Sequence, residues 1–203
     1  MDVYPYTKEY DLQYSALHTG PDNLRDLPAI IGHLQSNYCQ NVCISGPLGW
    51  HDQSLHNFRN TCKFLNEKAK LLKLEGINVH YHNHDFEFRC SDDGISPFDV
   101  LADQLDPSLI KFSVDTGWLH MAGVDPVTFL NQHRGRISYS HLRDFLGSES
   151  VALGQGSVDI VSIVKELNKN SSVEWLVVEH EPECDALEKL SVSRSYLKTE
   201  LSL

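Results

Sequence analysis

What this chain of 203 residues has little of narrows its function first. It has no apolar run near the roughly 18 residues that a membrane-spanning helix needs. Its first residues, Met1-Asp2-Val3-Tyr4-Pro5, show no basic stretch followed by an apolar one. No secretory leader is visible there, and a cytoplasmic location is the expectation. Positive charge is scarce: 17 Lys and Arg stand against 28 Asp and Glu, a net charge of −11. A surface so acidic repels phosphate backbones, which argues against a nucleic-acid partner. No G-x-G-x-x-G follows an early strand, and no linker, repeat or low-complexity tract divides the chain, so one domain over residues 1–203 is expected. The five cysteines, Cys39, Cys43, Cys62, Cys90 and Cys184, are odd in number and loosely spaced. That is the pattern of reduced thiols rather than of a disulfide framework. Cys39 and Cys43 are spaced as half of a zinc site could be, but no second pair follows, and both read as small buried hydrophobes.

What is present is a regular alternation of short β-rich runs and longer helical ones. Strands are expected at Leu12–His18, Asn41–Ser45, Ile77–His82, Ile110–Val114, Arg136–His141 and Glu174–Val178. Between Asp22 and Tyr38 lies a helix whose regular part starts after Asp26, because of Pro28. Leu55, Phe58, Cys62, Leu65, Ala69 and Leu72 recur at three and four and form one apolar stripe, with Asp52 as N-cap and Gly76 as C-cap. Asp125-Pro126 opens another helix, Ser157 caps a further one, and a terminal helix starts near Asp185. Strand–helix alternation implies a parallel sheet and an α/β fold. About six units are countable, where a closed (β/α)₈ barrel has eight strands; an open doubly wound sheet is the alternative.

Candidate metal ligands appear repeatedly where a strand runs out: His80-Tyr81-His82-Asn83-His84-Asp85-Phe86-Glu87, then Asp115-Thr116-Gly117-Trp118, His141-Leu142-Arg143-Asp144, and Glu179-His180-Glu181. The spacing is roughly 25 to 40 residues, one βα unit each. In a parallel barrel such ends share one rim. A His, Asp and Glu set without thiolates suits Mn²⁺, Co²⁺, Zn²⁺ or Mg²⁺. Each position alone has a structural alternative. Asp115 could be a helix cap, His141 a hydrogen-bonded core histidine, and His80 reads as structural. An acidic Glu179 directly after Trp175-Leu176-Val177-Val178 is harder to explain by packing. His51, His56, His120 and His133 read as surface residues.

The segment Tyr81-His82-Asn83-His84-Asp85-Phe86-Glu87-Phe88 resembles the His-Asn-His segment of the sugar phosphate isomerase/epimerase family of xylose isomerase-like TIM barrels. So do Asp115-Thr116-Gly117-Trp118 with Ala122-Gly123-Val124-Asp125-Pro126, and Arg136-Ile137 through His141-Leu142-Arg143-Asp144, where relatives usually carry lysine in place of Arg143. Leu153-Gly154-Gln155-Gly156-Ser157-Val158-Asp159 is similar to the Gly-x-Gly-x-x-Asp loop of that family. Inosose dehydratases share the His-rich, Asp-Thr-Gly and Val-Val-Glu segments. The resemblance implies a TIM-type (β/α) barrel lacking its first two βα units, with residues 1–10 as the end of the second helix. It implies one divalent cation held by Asp115, His141 and Glu179, with His82 as fourth ligand. It implies a small sugar, sugar phosphate or keto-polyol substrate isomerised or epimerised through an enediolate, with Glu179 or Glu87 as base. His84 and Arg143 would orient substrate oxygens and Trp118 would cover the ring. His82 stands where two-glutamate epimerases have a glutamate, which leaves a dehydratase or lyase as the alternative, and a non-catalytic barrel relative as a further one. A multi-zinc DNA-repair endonuclease fits neither the charge nor the small ligand set. An open barrel would expose strand edges, which a further element or a second subunit in a homo-oligomer would cover.

Overall fold

Period-two patterning in the short runs and period-3.6 patterning between them produce a succession of parallel strands and helices. A computed structural model describes residues 3–90, 94–181 and 184–201. In chain order the elements are α1 (Tyr4–Glu9), β1 (Leu17–Thr19), α2 (Leu27–Ser36), β2 (Asn41–Ser45), α3 (Leu55–Leu74), β3 (Asn78–His82), α4 (Pro97–Gln104) and β4 (Ile110–Asp115). There follow α5 (Thr116–Met121), α6 (Pro126–Gln132), β5 (Ile137–Leu142), β6 (Asp144–Leu146), β7 (Glu149–Val151), α7 (Ile160–Leu167), β8 (Trp175–Val178) and α8 (Ala186–Leu201). The main sheet has six strands in the order β1-β2-β3-β4-β5-β8, and β6-β7 is a separate hairpin. By their internal contacts the residues sort into two units, Met1–Asn83 with Arg89–Phe112, and His84–Phe88 with Ser113–Leu203. The strand β4 contributes to both.

In the first unit β1 pairs with β2 and β2 with β3, both parallel. The register puts Leu17, Val42 and Val79 in one row and Thr19, Ile44 and Tyr81 in the next. Residues on alternate positions share a face. One face is therefore apolar, with Val42, Ile44, Val79 and Tyr81 all buried. The other carries His18, Asn41, Cys43, Ser45, His80 and His82. His80 reads as structural and is so: its Nε2 lies 3.2 Å from Asn41 Oδ1, and burial pulls its pKa down to about 4. The apolar stripe of α3 buries Phe58, Cys62, Leu65, Ala69 and Leu72. Asn66 on the same helix clasps the α4–β4 connection, donating to Gln104 O at 2.8 Å and accepting from Asp106 N at 2.9 Å.

Several local expectations shift. The first strand is three residues long instead of seven. A 3-10 turn over Pro21–Arg25 precedes α2. The cap of α3 is Ser54, which accepts from Asn57 N; Asp52 instead accepts from Ser54 N. Gly76, with φ +72°, ends that helix as expected. The cap of α7 is Asp159, which accepts from Ser162 N, while Ser157 donates to Phe145 O. Of the expected N-terminal helix, α1 is described from Tyr4, and Met1 and Asp2 lie outside the described residues. Asn37 ties α1 down by accepting from Val3 N and Tyr4 N.

In the second unit β5 and β8 run parallel, Tyr139 against Trp175 through Leu142 against Val178. The hairpin β6–β7 and the loop after it are organised by one carboxylate. Asp144, fully buried, accepts backbone N–H bonds from Phe145, Gly154, Gly156 and Val158 at 2.9 to 3.0 Å. Any Cβ at Gly156 would run into that carboxylate. This accounts for glycine at 156, while Gly154 has φ +84° and faces the Tyr196 ring. Asp144→Ala leaves four donors without their acceptor and is expected to cost about 3 kcal/mol or more, by urea denaturation. Asp159→Ala, which removes an ordinary cap, is expected to cost about 1 kcal/mol in the same measurement.

Candidate metal centre

Three strand ends of the second unit supply the site. Asp115 is the last residue of β4 and is fully buried. It is also the N-cap of α5, its Oδ1 accepting from Trp118 N at 2.9 Å. Cap and candidate ligand are thus the same carboxylate, each through a different oxygen. His141 lies on β5, with Nδ1 2.6 Å from Glu179 Oε2. Glu179 follows β8 directly, and its backbone N–H donates to Leu142 O. One donor atom each from Asp115, His141 and Glu179 falls within 4.8 Å of the others.

A buried cation sits among them. Arg143 is 2% exposed and lies just past β5. Its guanidinium contacts Glu179 Oε1 at 2.5 Å and Glu181 Oε1 at 2.6 Å through separate NH groups. Its Nε is 3.5 Å from Asp115 Oδ2, a charge contact rather than a good hydrogen bond. The Trp118 ring covers it at 5.1 Å, within cation–π range. Burial pushes the Asp115 carboxyl up to about 6, against the pull of Arg143 and with a further push from Glu179. A fully buried acid beside a half-buried one is an arrangement a divalent cation offsets. Two carboxylates and an imidazole, with no thiolate, fit Mn²⁺, Co²⁺, Zn²⁺ or Mg²⁺.

Close approach explains the Asp-Thr-Gly run. A Cβ on Gly117 would come within 2.7 Å of Arg143 Cβ and 2.8 Å of Arg143 O. The Thr116 hydroxyl donates to His141 O at 3.0 Å. Asp115-Thr116-Gly117 therefore locks the start of α5 onto β5 beside both candidate ligands.

The remaining expected residues fall as follows. Glu87 is fully buried in a 3-10 turn, Phe86–Phe88, and accepts from His84 N at 2.7 Å. Its carboxylate fixes its own loop, and it is not in the three-residue cluster. The His84 ring stacks on Phe86 at 5.3 Å and is 6.0 Å from Trp118. Trp118 also packs against Phe145 at 5.2 Å. His82, buried, ends β3 in the first unit. Of the four histidines read as surface residues, His51 and His56 are exposed. His120 is half-buried on Ser157 Oγ and His133 half-buried against Phe129, a correction for those two. Glu181, the last of the Glu179-His180-Glu181 run, lies two residues beyond Glu179, so it shares its side of an extended chain, and it pairs with Arg143.

Parallel strands joined through helices, with acid and imidazole donors where strands end, define an α/β protein of the TIM-barrel type. The chain belongs to the family described as xylose isomerase-like TIM barrel, whose model matches residues 9–198. It is 27% identical over 169 residues to an inosose dehydratase of Clostridium tetani, 72% of this chain and 55% of that one. It thus spans about half the length of that curated relative. A crystal structure of a sugar phosphate isomerase/epimerase from Parabacteroides distasonis shares the fold, with TM-score 0.84, 21% identity, and 99% of this chain and 81% of that chain covered. So does the IolI protein, whose crystal structure holds a zinc atom, at TM-score 0.72 and 11% identity, covering 98% of this chain and 81% of that one. These likenesses establish the barrel fold and exclude the doubly wound alternative.

Arg143→Met removes the cation that faces Asp115 and Glu179, and a buried pair broken on one side costs about 3–5 kcal/mol. The loss is expected in chelator-treated protein by urea denaturation. Excess Mn²⁺ is expected to recover most of it, since a ligand that binds only the folded state stabilises it.

Proposed function

We propose that this protein is a divalent-metal-dependent isomerase or epimerase of a small keto-sugar, sugar phosphate or keto-polyol. The observation that carries the reading is the convergence of Asp115, His141 and Glu179 from three strand ends. Asp115 Oδ2, His141 and Glu179 would hold the ion, and the resemblance adds His82 as a fourth ligand. When bound, a divalent cation supplies Lewis-acid polarisation of a substrate carbonyl.

The chain's own residues then have separable tasks. Glu179 takes the proton from the hydroxyl-bearing carbon beside the carbonyl and delivers it to the former carbonyl carbon, which moves the carbonyl by one position; Arg143 lies at its Oε1 and His141 at its Oε2. Arg143, kept charged and rigid by three carboxylates, balances the negative charge that develops as the proton leaves. Trp118 and His84 give the sugar ring an apolar and hydrogen-bonding wall. Glu87 is bound to its own loop, which makes it a positioning residue for His84 and favours one-base chemistry. A second reading, dehydration of a keto-inositol, is favoured by the inosose dehydratase relative and by histidine at position 82.

Metal analysis of protein purified without chelator tests the reading. Bound Mn, Co, Zn or Mg is expected, with one equivalent lost in Asp115→Ala and in His141→Ala and less metal held in His82→Ala. With keto-inositols and keto-sugars in D₂O, NMR is expected to show deuterium entering beside the carbonyl. Accompanying loss of water marks the dehydratase, and inversion or carbonyl migration the isomerase. Glu179→Gln is expected to slow exchange by roughly 10²-fold or more. Protein that holds no metal after Mn²⁺ and Co²⁺ are supplied would sink the proposal.

A further inference from the structure

Cys43 lacks a cysteine partner but has histidine neighbours. On the polar face of the first unit, His18 of β1 is the register partner of Cys43 of β2. The register partner of Cys43 on β3 is His80, and that of Ser45 is His82. His82 lies two positions beyond His80, so it projects from the same side as Cys43 and His18. His80 is engaged by Asn41 at 3.2 Å. The His18 and His82 rings approach edge-on, with centroids 4.7 Å apart. One donor atom from each of His18, Cys43 and His82 lies within 4.8 Å of the others. Cys43 is 2% exposed and His82 1%, whereas His18 is open to solvent.

We infer that His18, Cys43 and His82 form a second metal site, for a thiophilic ion such as Zn²⁺. Donor atoms on a tetrahedral zinc sit about 3.3–3.8 Å apart, which follows from bond lengths of about 2.0–2.3 Å. Donor atoms already within 4.8 Å of one another reach that separation by side-chain shifts of about 1 Å. Three protein ligands leave the fourth position to water, and the exposed His18 gives the ion its entry path. The thiol gives up its proton to solvent on binding. One thiolate and two imidazoles prefer zinc, cobalt or copper(I), while the Asp115, His141 and Glu179 set is oxygen-rich and accepts harder ions. The imidazole of His82 has two nitrogens, so ligation at this site does not exclude the role proposed for it above.

The test is cobalt loading of the metal-stripped full chain, followed by absorption spectroscopy and metal analysis. Thiolate ligation gives a near-ultraviolet sulfur-to-cobalt charge-transfer band that oxygen and nitrogen donors do not. The band is expected in the native protein, absent in Cys43→Ser, and weakened in His18→Gln, an exposed position where misfolding is a minor concern. Zinc content is expected to fall by one equivalent in Cys43→Ser. Asp115→Ala and His141→Ala are expected to keep the band, which separates this site from the proposed catalytic one. No band in the native protein, or a band that survives in Cys43→Ser, overturns the inference.

Discussion

The charge balance around Arg143 holds the ends of β4, β5 and β8 in their working arrangement. Asp115, Glu179 and Glu181 belong to different strand ends or to the segment after one, and each contacts the same guanidinium. Asp115 is fully buried, Glu179 partly and Glu181 exposed, so the cation matters most to Asp115, which has lost its hydration and faces a second acid. The side chain of Arg143 is planar and stays charged, which lets it serve three acids at once and still lie under the Trp118 ring. A lysine at this position would offer a single point charge. The side chains of this centre are therefore held by contacts within the protein itself.

That assembly rests in turn on two small residues. Gly117 lets α5 start against the backbone of Arg143, and Gly156 leaves room for the Asp144 carboxylate. Both are positions where the absence of a side chain, and not a backbone angle, is what the packing uses. The tightness is local. His120 and Ser157 meet across the outer end of the same region through a single hydrogen bond.

Much of this could be read from residue order alone. Each ligand-bearing segment follows a β-rich run at βα-unit spacing, so Asp115, His141 and Glu179 were legible as a group although none was legible alone. Asp115 also shows why its two readings did not compete: one oxygen caps α5 and the other faces the basic and acidic cluster. What stayed hidden depends on partners far along the chain. Nothing local distinguishes Ser54 from Asp52 as the cap of α3, since both types accept N–H bonds and the backbone path decides. The eight-residue α4 has its capping box in Ser96 and Asp99, but is too short for its apolar residues to show a helical period. Glu87 carries an acid's signature without an acid's freedom, because its bond to His84 N is visible only once the loop is folded. Cys43 was misleading in the opposite sense, since its neighbours come from other strands and not from nearby sequence.

The Asp144 clamp divides its surroundings into a part that can vary and a part that cannot. Gly154, Gly156 and Val158 are each tied to the same carboxylate, so a residue gained or lost anywhere between them would break the set. At the tip between β6 and β7, Leu146 to Glu149 are exposed. The four Asp144 bonds run to residues outside that tip. Insertions and grafted loops belong at the hairpin tip, a few residues from the candidate metal centre in sequence and without cost to the loop that supports it.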